Sequence, residues 1–176
     1  MGRPYQIFLP MLSLFLVRVD LTDLLPIQLE VKLLNVYDGD TVLLSHGSYR
    51  FKLRFAKIDS PEKGQPFFYS KGDAGLMSLK CLSRLLKNEK TLIAQIQSVD
   101  IYRRYLGDIN GLSLRLIQEG CTTIYPYARF SSKKEKFIFL TQFKKAKASR
   151  RGLWRVGGFV QPKFWRSLNK RTAPRP

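Results

Sequence analysis

Residues 29–62 read LEVKLLNVYDGDTVLLSHGSYRFKLRFAKIDSPE, and this stretch decides the fold class. At its centre Tyr49, Phe51, Leu53 and Phe55 alternate with Arg50, Lys52 and Arg54. That period of two puts rings and aliphatics on one face of a strand and cations on the other. Upstream, residues 29–37 alternate in the same way, Asp38-Gly39-Asp40 interrupts, and Thr41 to Leu44 resumes before a hairpin turn at His46-Gly47-Ser48. Downstream, Asp59-Ser60-Pro61-Glu62 ends the strand, because proline removes a ladder donor. Working outward, Leu76, Leu79, Leu82 and Leu86 form a helical stripe over 73–87. Strands are expected at Thr91 to Val99 and Arg104 to Ile109, and a short helix at 112–119 with Gly120 as its cap. Lys133 to Arg150 is a basic amphipathic helix with Phe137, Leu140 and Phe143 on its apolar side. Five short strands with interspersed helices, the strands first, predict an α+β fold: a small barrel with helices packed on it.

The chain has 176 residues, the size of one domain with tails. Its apolar share of 44% is incompatible with a disordered chain, and no apolar run reaches the roughly 18 residues of a membrane span. Lys and Arg number 31 against 13 Asp and Glu, a net charge of +18, which points to polyanionic partners. Residues 131–176 carry 14 of those cations and one acid. Cys81 and Cys121 stand in unrelated segments and read first as two structural thiols, with one disulfide as the alternative. A single histidine, His46, argues against a catalytic triad or a multi-histidine zinc site. Ile7 to Val17 has the length of a secretory apolar region, although Arg18-Val19-Asp20 follows it in place of a cleavage motif. Export is the expectation, and the alternative is an extra segment that is buried or lies at a membrane surface.

The acids are few and clustered. Asp38 and Asp40 flank Gly39, and Asp59 and Glu62 flank Ser60-Pro61. Each cluster alone reads as turn chemistry. Together they offer carboxylate and carbonyl oxygens, the ligands of a hard cation such as Ca²⁺. Arg54 lies five residues before Asp59, and Arg104 follows Tyr102-Arg103. Phosphodiester hydrolysis needs a positioned water, a base, and cations over the charge that develops on phosphorus. Two carboxylates with a metal, one glutamate and two guanidiniums supply all three.

The motifs Val36-Tyr37-Asp38-Gly39-Asp40-Thr41, Arg54, Ile58-Asp59-Ser60-Pro61-Glu62, Asp100-Ile101-Tyr102-Arg103-Arg104, Gly120 with Tyr125 and Tyr127, and Gly152-Leu153-Trp154 occur in this order. Together they resemble the staphylococcal nuclease family over about residues 29–156. The resemblance implies a five-stranded OB-fold barrel with about three helices; the apolar extension at 1–28 and the basic tail at 157–176 have no counterpart in it. It implies Ca²⁺ bound by Asp40, Asp59 and the Ser60 carbonyl, Glu62 as the base, and Arg54 and Arg104 on the scissile phosphate. Tyr102, Tyr125 and Tyr127 would flank the nucleotide. The substrate would be DNA or RNA, mainly single-stranded, cut to 3′-phosphate products, with no obligate protein partner. Arg103 stands where family members often carry glycine. The alternative is a non-catalytic OB module that binds single strands through a basic groove and aromatic platforms.

Overall fold

The computed structural model describes residues 25–172. The apolar stretch Ile7 to Val17, and with it the expected export signal or membrane contact, lies outside the described residues. Five strands close into a barrel: β1 (Ile27–Val36), β2 (Thr41–His46), β3 (Tyr49–Phe55), β5 (Leu92–Val99) and β6 (Tyr105–Ile109), in the order β1-β2-β3-β6-β5. All neighbours are antiparallel except β3 and β6, which run parallel. The pairing of Thr41 with Arg54 and of Leu44 with Phe51 sets the register of the β2–β3 hairpin. It turns Val42, Leu44, Phe51, Leu53 and Phe55 into the barrel, where all are buried. This is a closed five-stranded mixed barrel with helices packed on it, as the strand pattern predicts, and it is the OB-fold that the resemblance implies.

Two short strands, β4 (Ile58–Asp59) and β7 (Thr123–Ile124), pair outside the barrel. They fasten the chain that leaves β3 to the segment that follows α2 (Leu112–Gln118). Helix α1 (Ala74–Lys87) starts at Asp73, whose side chain caps the Leu76 amide and also accepts from the Gly64 amide. Its buried face is Ser78, Leu82, Leu85 and Leu86, while Leu76 is exposed. The expected stripe through 76, 79, 82 and 86 is thus rotated by part of a turn.

Helix α3 (Lys133–Ala148) departs from expectation in the same way. It buries Phe139 and Ala146 and leaves Phe137 and Leu140 exposed, because Phe139 packs edge-on to Phe130. With so many lysines around the helix, the sequence pattern alone points at the wrong side. Cys81 of α1 and Cys121 form a disulfide, in place of the two free thiols read from the sequence. Ser78 Oγ donates to the Cys121 carbonyl at 2.7 Å, so the same two elements meet at a second point.

The chain after the 3₁₀ turn Gly152–Val156, read from the sequence as a tail, continues as structure to residue 172. Phe159 is buried with Phe67, Ala74 and Leu153, and the Gln65 side chain donates to the Val160 carbonyl. Helix α4 (Pro162–Thr172) follows and is the fourth α-helix of the described residues.

Gly39 shows how tightly α1 sits on the barrel. A Cβ there would lie 1.9 Å from Ser78 Oγ and 2.8 Å from Ser60 Cβ. Gly39→Ala should therefore cost about 1–3 kcal/mol through forced repacking, read as a lowered midpoint in urea denaturation. An unchanged midpoint would mean that α1 is not held against this turn.

Candidate active site

A cleft of about 810 Å³ opens over the outer face of β3, with Asp38, Asp40, Arg54, Ser60, Glu62, Tyr102, Arg104, Tyr125 and Arg166 on its walls. At its floor Arg54, only 9% exposed, bridges two acids. Its Nη2 lies 3.0 Å from Asp59 Oδ1 and 3.4 Å from Asp40 Oδ2, and its Nη1 donates to the Phe55 and Ile58 carbonyls. The Tyr125 ring lies 5.0 Å from the guanidinium carbon. The polar face of β3 is therefore wet at Arg50 and Lys52 and buried at Arg54.

Local chemistry sets each acid. The Asp38 carboxylate accepts the Asp40 amide at 2.9 Å, a turn that aims Asp40 inward. There Asp40 accepts from Thr41 Oγ1 and from the Ser60 amide, both at 2.9 Å. Asp59 is held from behind by its pairing with Thr123, whose hydroxyl donates to the Asp59 carbonyl. Burial and the Asp40 charge push Asp38 up to about 7. Burial raises Asp59 as well, against the opposing hydrogen bond from Arg166.

Glu62 follows Pro61 in a loop that Gln65 closes. Gln65 accepts the Glu62 amide on its side chain and donates its own amide to the Glu62 carbonyl. Gly75 of α1 presses on this loop so closely that a Cβ would sit 2.1 Å from the Glu62 carbonyl oxygen.

On the opposite wall, Asp100 accepts the Tyr102 and Arg104 amides and pairs with the Arg104 guanidinium at 2.7 Å. Burial works to raise the Asp100 carboxyl, but these bonds outweigh it and hold it below the ordinary range. The turn leaves Arg103 at φ 60°, a left-handed conformation that suits glycine better than arginine.

Seven of the nine residues singled out in the sequence thus line one cleft: Asp40, Arg54, Ser60, Glu62, Tyr102, Arg104 and Tyr125. Asp59 lies beneath the floor at 1% exposure. Tyr127 faces outward next to Tyr125, and Lys163 of α4 covers its ring at 4.4 Å. Sequence reasoning missed Arg166. Its Nη1 lies 2.7 Å from Glu62 Oε1, and its Nη2 lies 3.0 and 2.9 Å from the two Asp59 oxygens. Nothing in the sequence marks it out among 14 cations in residues 131–176.

The donor set fits a hard cation. Asp40 and Asp59 present buried carboxylates, and the Ser60 amide donates to Asp40, so the groups that could hold such an ion here are oxygens, without nitrogen or sulfur. Two guanidiniums already gather at Asp59, which shows the demand of this cluster for positive charge. Among the described residues the one set of three His, Cys, Asp or Glu ligand atoms within 4.8 Å is Cys81, Glu119 and Cys121, and its sulfurs are bonded to each other.

A family model described as staphylococcal nuclease homologue matches residues 52–156, more than half of the chain. An uncharacterized endonuclease of Haemophilus influenzae is 29% identical over 144 residues, which cover 79% of this chain and 74% of that protein. A micrococcal nuclease of Shigella flexneri is 24% identical over 152 residues, 79% of this chain and 81% of that protein. An uncharacterized endonuclease of Escherichia coli O157:H7 is 24% identical over 138 residues, 77% of this chain and 83% of that protein.

Removing Arg54 leaves Asp40 and Asp59 facing each other in a buried floor. Arg54→Met should lower stability by about 3 kcal/mol in metal-free buffer, since two buried carboxylates then remain with Arg166, on Asp59, as their ion-pair partner among the described residues. Adding Asp59→Asn in that background should recover part of the loss, a coupling that a double-mutant cycle in urea measures. Strict additivity of the two changes would mean that Arg54 and Asp59 do not act as a pair.

Proposed function

The chain belongs to the staphylococcal nuclease family, and on that premise we propose that it is a calcium-dependent phosphodiesterase that hydrolyses single-stranded DNA or RNA to 3′-phosphate products. Membership supports nuclease activity at the level of the family, whose matched relatives include a micrococcal nuclease. The observation that carries the finer reading is the convergence of Arg54, Glu62 and Arg104 on one cleft whose floor holds Asp40 and Asp59. A bare binding groove has no need of a glutamate in one cleft with these two arginines.

In this reading Asp40, Asp59 and the Ser60 carbonyl hold calcium, which supplies positive charge to the phosphoryl oxygens as they become more negative. Glu62 accepts the proton of the attacking water. The new bond forms between that water oxygen and phosphorus, and the bond from phosphorus to the 5′-oxygen breaks; that oxygen leaves and takes a proton from solvent to become a 5′-hydroxyl, and the phosphate stays on the 3′ side. Arg54 and Arg104 donate to the non-bridging oxygens, where planar guanidinium forks match phosphate geometry. Arg54 comes to this task already fixed by Asp40 and Asp59, and Arg104 by Asp100, so little reorganisation is needed. Tyr102, 70% exposed beside Arg104, offers a ring to a base, and Tyr125 and Tyr127 continue that surface. The net charge of +18 draws the strand in without regard to its sequence. The Cys81–Cys121 disulfide supports the expectation of export, because such bonds persist in oxidising compartments.

Glu62→Gln keeps shape and removes the anion, so the single-turnover rate on a short labelled strand should fall about 10²–10⁴-fold with binding retained. Arg54→Lys and Arg104→Lys should each cost a comparable factor. Wild-type binding without cleavage would favour the non-catalytic OB module. Near-wild-type cleavage by the Gln variant would remove Glu62 from the mechanism.

Excess chelator should abolish cleavage, and calcium should restore it. Undiminished cleavage in chelator, or restoration by zinc alone, would overturn the calcium assignment.

A further inference from the structure

Helix α4 begins beyond the family match, which ends at residue 156; it reaches the cleft through Arg166 and the neighbouring Tyr127 through Lys163. Lys163 and Arg166, three residues apart, share one face of the helix. Lys163 covers the Tyr127 ring and hydrogen-bonds its hydroxyl. Arg166 grips Glu62 and both oxygens of Asp59. The root of the helix is firm. Phe159 is buried, and Gln65 joins the Val160 carbonyl to the Glu62 loop. The helix itself is not: of residues 162–169 only Pro162 is buried, and Phe164 and Leu168 are exposed. Apart from half-buried Trp165, its hold on the body is therefore largely ionic and polar, and another cation at Asp59 would compete for the same charge.

We propose that α4 is an autoinhibitory strap, in which Arg166 acts as a built-in cation that a divalent ion must displace. This rests on the reading of the cleft as a calcium-dependent nuclease site. A carboxylate oxygen has two lone pairs. Asp59 Oδ1 accepts from both Arg54 and Arg166, and Oδ2 accepts from Arg166. A metal ion at Asp59 needs those electrons, and a guanidinium on the same carboxylate would repel it. Glu62 Oε1, an oxygen that would take a proton from water, is occupied by the same side chain. With α4 docked, both Asp59 oxygens and Glu62 Oε1 carry hydrogen bonds from Arg166. With α4 released, Asp59 Oδ2 and Glu62 Oε1 are free, and Asp59 Oδ1 keeps its bond from Arg54. Apparent cation affinity then equals the intrinsic affinity reduced by the fraction of molecules in which the strap is open.

The test is calcium titration of the full chain by calorimetry without nucleic acid, comparing wild type with Arg166→Gln and Arg166→Lys. Both variants should bind calcium about tenfold or more tightly than wild type. The lysine variant keeps the charge but loses the two-point grip, so its gain reports release and not removed repulsion. Hydrogen exchange gives an independent readout: calcium should speed exchange of amides 162–169 in wild type, and Asp59→Asn should abolish the response. Equal calcium affinities, or weaker binding by the variants, would overturn the strap while leaving the calcium reading intact. Exchange in 162–169 unchanged or slowed at saturating calcium would overturn it as well, since ion and Arg166 would then bind together. Absence of calcium binding in all three proteins would overturn both the strap and the calcium reading.

Discussion

The Arg54 guanidinium, buried between Asp40 and Asp59, is the contact on which the arrangement of the cleft depends. A barrel this small has few places for a charge at its wall, and an arginine there is tolerated only when paired. Arg54 joins three pieces of chain: the turn into β2, the end of β3 and the short strand β4. Its Nη1 bonds to the Phe55 and Ile58 carbonyls satisfy main-chain acceptors where β3 stops being a barrel strand. The same group that closes the fold at this point thus also sets the spacing of the two acids. Folding and site geometry are one constraint here.

Around that floor, the positions of the loops are set by close approach and not by flexible side chains. Gly39 and Gly75 let α1 press on the Asp38-Gly39-Asp40 turn and on the Glu62 loop at distances no Cβ would allow. The disulfide and the Ser78 hydroxyl tie α1 to residue 121, and Thr123, two residues on, holds Asp59. A chain of short contacts therefore runs from α1 through β7 to the candidate metal ligand. It gives the carboxylates little freedom to separate, which suits a site that must present negative charge to an ion without rearranging.

Charge is arranged against this background. The chain is strongly basic, yet its cleft concentrates acids at the floor and places cations around them. The electrostatic field draws a polyanion, while the floor attracts cations, including those of the protein itself. Among the described residues Arg166 joins Arg54 there. That a basic helix lies over an acidic floor follows from the same imbalance that would bring substrate to it.

Much of the barrel was legible in the chain. The alternation of Tyr49, Phe51, Leu53 and Phe55 with three cations marks β3, and the Asp-Gly-Asp and Asp-Ser-Pro-Glu motifs mark the acids, because both are local patterns read within a few residues. Helix existence was legible too, but the buried faces of α1 and α3 were not. A helix crowded with leucine, or with lysine, offers several similar stripes, and only the surface it meets selects among them. The pairing of Cys81 with Cys121 and the descent of Arg166 onto Asp59 and Glu62 belong to tertiary structure alone. Both join residues far apart in sequence, 40 apart for the cysteines and more than 100 apart for Arg166. The composition of residues 131–176 announces a cationic segment but not which cation finds an acid. That is decided by where Phe159 lodges and hence by where α4 begins. Sequence determined which groups are present and which local elements carry them; the closing of the barrel and the docking of its last helix decided which of them meet, because long-range contact depends on how distant surfaces fit together and not on local periodicity.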